Sequence, residues 1–592
     1  MSPTTEKISY SPVVEINGKQ LEGDQYDELR TVRIDRQMGL VGRATLRFSD
    51  LGYALSSAGT FKIGTTVKVK QFPSTELFSG VIVGVTLEQM PAEEPHLVIV
   101  ADDVACRLTR GSKTTTHLRT TYTSAVQSIA AKAGLKAQVR ASTGVKEYLL
   151  QAGSDLEFID VIAGRLGYTW WVDQDTFHFA PAGTTTGHAT VTLNEDLHEF
   201  SVRASALRPT EVTIGGWSAD SQQKVTSKTQ QGTVWTSPPD FVKPYVIDTK
   251  AIGAAATGSR EVSPLDQSEA KAAAQAQFDE SLAAALVARG RGEVNGAIKP
   301  GVMLHVDHAG PATGDYYVTE VEHIYDPRGF HTRFVAGPLR PAGLVDTLGR
   351  PAPDPGFAIA GLVVGVVTNN ADPEHAGRIK VKYAGLPDDV ESNWARVLST
   401  SGGKNRGVVF LPEIEDEVLV GFENNDTRQP VVLGALFSKK NTLPESSKLL
   451  GAGNTVEYRR ITSRLGHIIE FADGNDPTTQ HVLVQLGGSA STHKLRLGAD
   501  RFDIEIAQGK PLLIKAGMAK FEITASGDVN IEGMNINIKG TKAVTIDSPQ
   551  TTVKGEAQVQ VQGAQVEVKG TAMAAVEATG PLTLKGLTVA IN

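Results

Sequence analysis

Apolar and polar residues alternate along most of this chain, and the alternation is most regular over Phe521–Asn592. There a unit of apolar, polar, aliphatic, polar and small residues recurs. It starts at Phe521, Val529, Ile536, Val544, Thr551, Val559, Val566, Ala574, Leu582 and Val589, in steps of seven or eight. The third place of every unit is aliphatic: Ile523, Ile531, Ile538, Ile546, Val553, Val561, Val568, Val576, Leu584 and Ile591. The fifth place is small in each unit that has one, from Ala525 and Gly533 to Gly586. Period two predicts short strands with one inward face, and a small residue at each corner permits a tight bend. Such regularity means stacked units that share a core. Seven or eight residues are too few for a whole coil of a single-chain β-helix, which needs three strands per turn. They supply one side of a three-sided prism whose other sides come from two more copies of the chain, which also closes every strand edge. The ten third-place aliphatics are therefore the predicted trimer core.

The rest of the chain reads as mainly β with a few helices. Short alternating strands between residues 9 and 100 suggest a barrel, with Asn17-Gly18 as a hairpin turn. Tyr122–Ala133 reads as a helix. Ser154-Asp155-Leu156-Glu157 is a capping box opening a helix with the stripe Leu156, Ile159, Ile162, Ala163 and Leu166, stopped by Gly167. Trp170-Trp171-Val172 and Phe177-His178-Phe179 flank a hairpin turn, and the two tryptophans read as packing residues. A second β group includes Glu211–Trp217. Ser268–Arg289 reads as one long Ala-rich helix, and Tyr316–His323 with Gly329–Phe334 as a closing hairpin. A Pro/Gly linker spans 337–356. Five strands follow, near Gly361–Val367, Gly377–Tyr383, Trp394–Leu398, Glu417–Phe422 and Val431–Leu433, in the pattern of an OB-type barrel. The predicted division is 1–336, linker 337–356, OB module 357–437, connector 438–490 with a strand at His481–Leu486, and needle 491–592.

Composition narrows the function. The chain has 592 residues and a net charge of −8, which disfavours nucleic acid as a partner. The needle is close to neutral, with 11 Lys+Arg against 10 Asp+Glu from residue 491. The single cysteine, Cys106, excludes an intrachain disulfide and a Cys-based metal site, and reads as a small buried residue. Met1–Tyr10 is polar with no apolar stretch behind it, so no cleaved leader is expected, and no run of eighteen apolar residues spans a membrane. Synthesis in the cytoplasm and release by another route follow as expectations.

Several runs resemble the VgrG-type spike (hub–spike) proteins of contractile injection systems and phage-tail-like particles. In the hub these are Gln151 with Ser154–Phe158 and Gly167-Tyr168, then Pro300-Gly301, Tyr316-Tyr317-Val318, His323 and Gly329–Thr332. In the OB module they are Gly377–Val381, Trp394–Val397, Leu411-Pro412-Glu413, Asp416–Phe422 and Gln429–Gly434. The resemblance implies a hub of two β-barrels plus helices that adapts a trimer to a hexameric inner tube, an OB-fold base and a triple-stranded β-helical needle. It implies a homotrimer in a baseplate, contacting the inner tube protein and baseplate proteins, with effector cargo as a further candidate partner. The particle is delivered or released outside the cell and meets the target membrane transiently. The 438–490 connector is too short for the lysozyme some phage spikes carry there. With His493 the last histidine, no histidine iron site is expected at the tip. The needle's end, Val589, Ile591 and Asn592, is instead the predicted seat of a separate PAAR-like tip protein.

No catalytic constellation stands out, and no cofactor or metal is implied. His305 and His308 sit three apart in or beside a strand, which turns them to opposite faces, so with His323 they make a poor metal set. Glu413, Glu415, Asp416 and Glu417 read as a solvated turn rather than a catalytic pair. The expected function is structural and non-enzymatic: a puncturing spike, with the hub/spike of a contractile prophage tail as the alternative. A β-helical polysaccharide-degrading enzyme would need longer coils and carboxylates gathered on one face. An adhesive fibre would end in an aromatic-rich globular domain.

Overall fold

The computed structural model describes residues 11–591 apart from 143, 206–208, 219–221, 235–238, 242–252, 254–255, 260–263, 265, 338, 340–360, 388, 445–448 and 489–491. Most of the expected 337–356 linker therefore lies outside the described residues. The chain forms two compact units, Met1–Leu443 and Pro444–Asn592.

In the first unit, thirteen strands share one hydrogen-bonded sheet. Its path runs Leu197–Ala204, Leu286–Glu293, Gly329–Ala336, Gly314–Asp326, Leu29–Gln37, Arg43–Ser49, His96–Asp102, Thr75–Glu88, Thr66–Gln71, Pro12–Ile16 and Lys19–Gln20. Gly187–Thr192 and Val302–Asp307 join from the side. Strand Gly314–Asp326 links two halves. Residues 314–317 pair with Val302–Asp307, whereas 320–325 pair with Leu29–Gln37. Two apolar cores lie on this continuous sheet. One gathers Val32, Ile34, Leu46, Phe48 and Ile99, and the other Leu304, Val306, Tyr316, Val321 and Phe334. The first hairpin turns at Asn17 and Gly18, with φ of 52° and 73°, a left-handed pair that Asn-Gly adopts at little cost.

Helices Tyr122–Lys132 and Asp155–Leu166 stand on a third core with Trp170 and Phe177. The capping box is complete: the Ser154 hydroxyl accepts from Glu157 N–H, and the Glu157 carboxylate accepts from Ser154 N–H. The Gly167 cap is left-handed at φ 68°, and a Cβ there would sit 2.8 Å from that of Ala276. Of the expected stripe, Ile159, Ile162 and Ala163 are buried, joined by Phe158 and Val161, while Leu156 and Leu166 are only partly covered. Trp170 and Trp171 are buried, and the Trp170 indole N–H donates to Asp160 at 2.6 Å.

The long helix is shorter than its composition suggested. It covers Gln267–Ala285, and Leu286–Glu293 is a strand. Residues 286–292 pair with Leu197–Ala204 on one side and 288–293 with Gly329–Ala336 on the other. Two ladders of backbone hydrogen bonds there outweigh helix propensity, which is a weak local preference. Cys106 departs from expectation too: it is partly exposed, and burial of its other side still pushes the thiol pKa up.

The module after the linker forms a five-stranded sheet in the order Lys380–Tyr383, Val363–Asn369, Glu417–Phe422, Pro430–Ala435 and Arg396–Val397. Reciprocal hydrogen bonds between Ile379 and Ala395, at 2.9 and 2.7 Å, join the two ends of that path. All five expected strands are present, with the second starting at Lys380 and the third narrowed to Arg396–Val397.

A buried ionic joint fixes this module to the hub. The Arg428 side chain, 1% exposed, donates to Asp426 at 2.6 Å, to the Tyr122 hydroxyl at 2.7 Å and to Glu269 at 3.0 Å. Tyr122 and Lys146 also donate to Glu269, at 2.9 and 2.6 Å. Burial opposes the guanidinium charge, yet Tyr122, Asp426 and Glu269 together raise its pKa well above the usual value. Tyr148 and Leu150 of the hub pack beside this joint on Val390 and Leu386 of the module.

The second unit begins with a five-stranded antiparallel meander: Tyr458–Thr462, Ile468–Ala472, His481–Gln485, Lys494–Gly498 and Phe502–Glu505. The expected strand at 481 is present and pairs with Lys494–Gly498. Leu512–Ala516, Ala519–Ile523 and Val529–Glu532 form a three-stranded sheet. From Gly533 to Ile591 the described residues form no strand within the chain.

Two outcomes follow. His323 is fully buried, with one ring nitrogen 2.9 Å from the Thr332 hydroxyl, and burial lowers its pKa to about 3. The unfolded chain binds this proton below about pH 6.5, so stability should fall as pH drops from there toward 3, by up to ~1.4 kcal/mol per pH unit. Denaturant midpoints across that window should show the slope, and His323→Gln should remove one proton's share; an unchanged slope would acquit this histidine. Arg428→Met leaves Asp426 buried without its main cation and should cost ~3 kcal/mol. Urea unfolding of Arg428→Met beside Asp426→Asn/Arg428→Met measures it, the double variant recovering part of the loss.

Candidate assembly site

The repeat places its third-position aliphatics in water. From Ile538 onward, Ile538, Ile546, Val553, Val561, Val568, Val576, Leu584 and Ile591 are 63–84% exposed. Ile531 is exposed too, while Ile523, within the strand Ala519–Ile523, is partly covered. First-position residues such as Ile536, Val544, Val559 and Leu582 are less bare, at 50–56%. The chain thus carries a row of aliphatic side chains that no part of itself covers. Scattered exposed aliphatics are ordinary on a protein surface, but an ordered row of this length marks an interaction surface.

The corners show a distinction the sequence pattern did not reveal. A Cβ added at Gly540, Gly555 or Gly570 would lie 2.3–2.4 Å from the carbonyl oxygen three residues on. These three glycines sit in eight-residue units. In the seven-residue units of Gly533, Gly563 and Gly586 the corresponding nearest carbonyl oxygen is 3.1–3.8 Å away. At these three glycines there is no room for a side chain, whereas at Gly533 and Gly586 there is some; unit length alone does not set this, since Ala525 and Ala578 hold the corner of eight-residue units. At the end of the repeat, Val589 and Ile591 are 50% and 84% exposed, while Asn592 lies outside the described residues.

The histidines that the sequence singled out lie apart from this row. His305 ring Nδ1 lies 2.7 Å from Asp315 on a strand, His308 follows it in a left-handed turn at φ 58°, and His323 is buried against Thr332. Among the described residues no group of three or more His, Cys, Asp or Glu is placed to hold a metal. Glu413 and Glu415 are exposed in a turn, with Glu415 at φ 73° and Glu413 N–H donating to Asp416 at 2.8 Å. The carboxylates there shape a loop. Beside them Val409, Phe410 and Ile414 are 85%, 67% and 58% exposed. Asp372 was not singled out by its neighbourhood in sequence. It is buried, accepts from Glu374, Ala376 and Arg378 N–H groups, and the Arg378 guanidinium holds its carboxyl well below the usual range. No helix among the described residues is long and apolar enough to cross a membrane.

Comparison with known proteins bears on these features. The Alg8 N-terminal domain family matches residues 7–326, over half of the chain. The type VI secretion system/phage-baseplate injector OB domain family matches residues 363–437. The type VI secretion system spike protein VgrG5 of Pseudomonas aeruginosa is 37% identical over 125 residues, 20% of this chain and 15% of that protein. VgrG2a of the same organism is 31% identical over 160 residues, 25% of this chain and 18% of that one. The matches thus span less than a fifth of these relatives' own length. In fold, the chain is similar to a solved Francisella PdpA-VgrG complex, half-lidded, with a TM-score of 0.50 at 7% identity, covering 84% of this chain and 88% of that one. With its first half matched by the Alg8 N-terminal domain and an injector OB domain next in order, the chain belongs to the Alg8 N-terminal domain family and is a VgrG-like spike protein.

Proposed function

We propose that this protein is a structural, non-enzymatic spike of a contractile injection system, acting as a homotrimer. The observation that carries the reading is the uncovered row of third-position aliphatics from Ile538 to Ile591. A single chain leaves that row uncovered and forms no strand over 533–591. Three copies wound about one axis bury the row and let each chain's strands pair with its neighbours'. The product is a stiff triple-stranded prism, suited to transmitting an axial push. Upstream, the Met1–Leu443 unit, with its hub sheet and OB module, forms the base that joins the inner tube and baseplate proteins. A PAAR-like tip protein would cover Val589, Ile591 and Asn592, and effector cargo would travel with it. The similarity to type VI secretion spike proteins supports this assignment; a contractile prophage tail would use the same geometry.

The mass of the native particle decides the matter. Native mass spectrometry should give three chains, and Val561→Asp, which sets three carboxylates around the axis, should shift the mass toward one chain. A wild-type protein that is a single folded chain would overturn the reading. Within the trimer, Gly555→Ala should lower the melting temperature by several degrees, because its Cβ meets the Gln558 carbonyl oxygen at 2.4 Å. Gly533→Ala, with no neighbour nearer than 3.8 Å, should change it little.

A further inference from the structure

The fourth place of the repeat carries its charges in alternation. From Lys539 on, the residues there are Lys539, Asp547, Lys554, Gln562, Lys569, Glu577 and Lys585, two plus–minus–plus triplets separated by one neutral side chain. No two consecutive units carry the same sign. All six charged side chains are exposed. Among the described residues, Lys569 with Glu567 is the only ion pair that these six make within the chain. Glu532, one unit earlier, is already held by Lys520 of its own sheet at 2.9 Å. Apart from Glu567, the other charges beyond Gly533 are Lys542 and Glu556, at corners between units. Successive side chains of a strand face opposite sides, so a fourth-place residue points outward where the third-place aliphatic points inward.

We infer that this row is an interchain ion-pair ladder that sets the register of the trimer: each fourth-place charge meets the fourth-place charge of the next unit on a neighbouring copy. The inference rests on the trimeric reading of the repeat and goes beyond it by naming which units lie side by side. The geometry follows from a three-sided prism. Each chain gives one side to a layer and turns onto the next side at the corner. The strand stacked on one unit of a given copy is therefore the following unit of another copy. Stacked strands lie about 4.8 Å apart, with equivalent places aligned. Asp547 then lies between Lys554 of one neighbour and Lys539 of the other, and Glu577 between Lys585 and Lys569 in the same way. The partner is a further copy of this chain because its charge sequence, shifted by one unit, is opposite wherever two charges meet. The aliphatic third place cannot select this register, since every unit offers one. The charges can, because a slip by one unit sets Lys539 beside Lys554 and Lys569 beside Lys585. Exposed ion pairs add little stability, but like charges held side by side repel, and symmetry repeats each contact three times.

Paired cysteines in the full-length chain, with Cys106→Ser as background, identify the neighbours. Glu577→Cys/Lys585→Cys sets thiols on consecutive units, and Lys569→Cys/Lys585→Cys on units two apart. Under mild oxidation the first should close a covalent trimer on non-reducing gels, because position 577 of each copy meets position 585 of the next, while the second stays single. Thermal unfolding reads the charges. Glu577→Lys should lower the melting temperature by more than Glu556→Lys, which makes the same charge change at a corner. The loss should shrink in about 1 M sodium chloride, where the screening length falls to ~3 Å. Lys569→Glu/Glu577→Lys/Lys585→Glu restores the alternation with inverted signs and should recover most of the loss. A covalent trimer from the 569/585 pair, or none from 577/585 in a protein of three-chain mass, overturns the inference and leaves the trimeric repeat standing. Equal melting of Glu577→Lys and Glu556→Lys overturns the ladder even where 577 and 585 cross-link. The mass of a single chain overturns both readings.

Discussion

Uncovered apolar surface is the constraint on which the rest of this molecule depends. A strand with one aliphatic face and two open edges is not a stable object in water. Its carbons must be shielded and its backbone groups paired, and a single chain can do neither over 533–591. The residue pattern makes the requirement directional. Third-place side chains of the later units are more exposed than first-place ones, whose methyls lean toward the preceding corner, as Val544 does toward Gly540 and Val559 toward Gly555. What remains bare recurs once in every unit from Ile538 to Ile591.

The proposed function would put a different mechanical demand on the base. An axial thrust delivered to the hub would pass to the OB module through the contacts between them. Arg428 provides the rigid connection. It draws Asp426 from its own module and Tyr122 and Glu269 from two hub helices into one buried hydrogen-bonded cluster. Such a cluster adds less to stability than an apolar contact of equal size, because the ions lose their hydration. It is geometrically exacting instead: a small rotation of the module would leave charges buried and unpaired. The apolar pair Tyr148 and Val390 alongside it could slide, whereas the guanidinium fork cannot.

Much of the fold was legible because it is written in local chemistry. The capping box at Ser154, the Asn17-Gly18 turn and the strand Glu417–Phe422 each depend on residues adjacent in sequence, and each is found where the pattern predicts. The end of the helix at Ala285 was not legible. Leu286–Arg289 is Ala- and Leu-rich enough for a helix, and it becomes a strand because partners about ninety and forty residues away pair with both its edges. Arg428 was missed for a related reason: its partners are supplied by helices that begin at Tyr122 and Gln267, and nothing near Arg428 in the chain announces them.

Periodicity by itself determined that the carboxy-terminal stretch carries an aliphatic third place in every unit, since spacing along a chain is read without any partner; within the chain only its first part forms strands, at Ala519–Ile523 and Val529–Glu532. Only the tertiary structure decided how that surface is distributed. It singled out Gly540, Gly555 and Gly570, where no Cβ fits, from Gly533 and Gly586, where one does. It also revealed Ile461 to Ile504 as a ladder across five strands. The physical reason is that a ladder is a property of register between strands. Residues such as Ile469 and Val484 become neighbours only once the meander has folded, however plainly each strand alternates on its own.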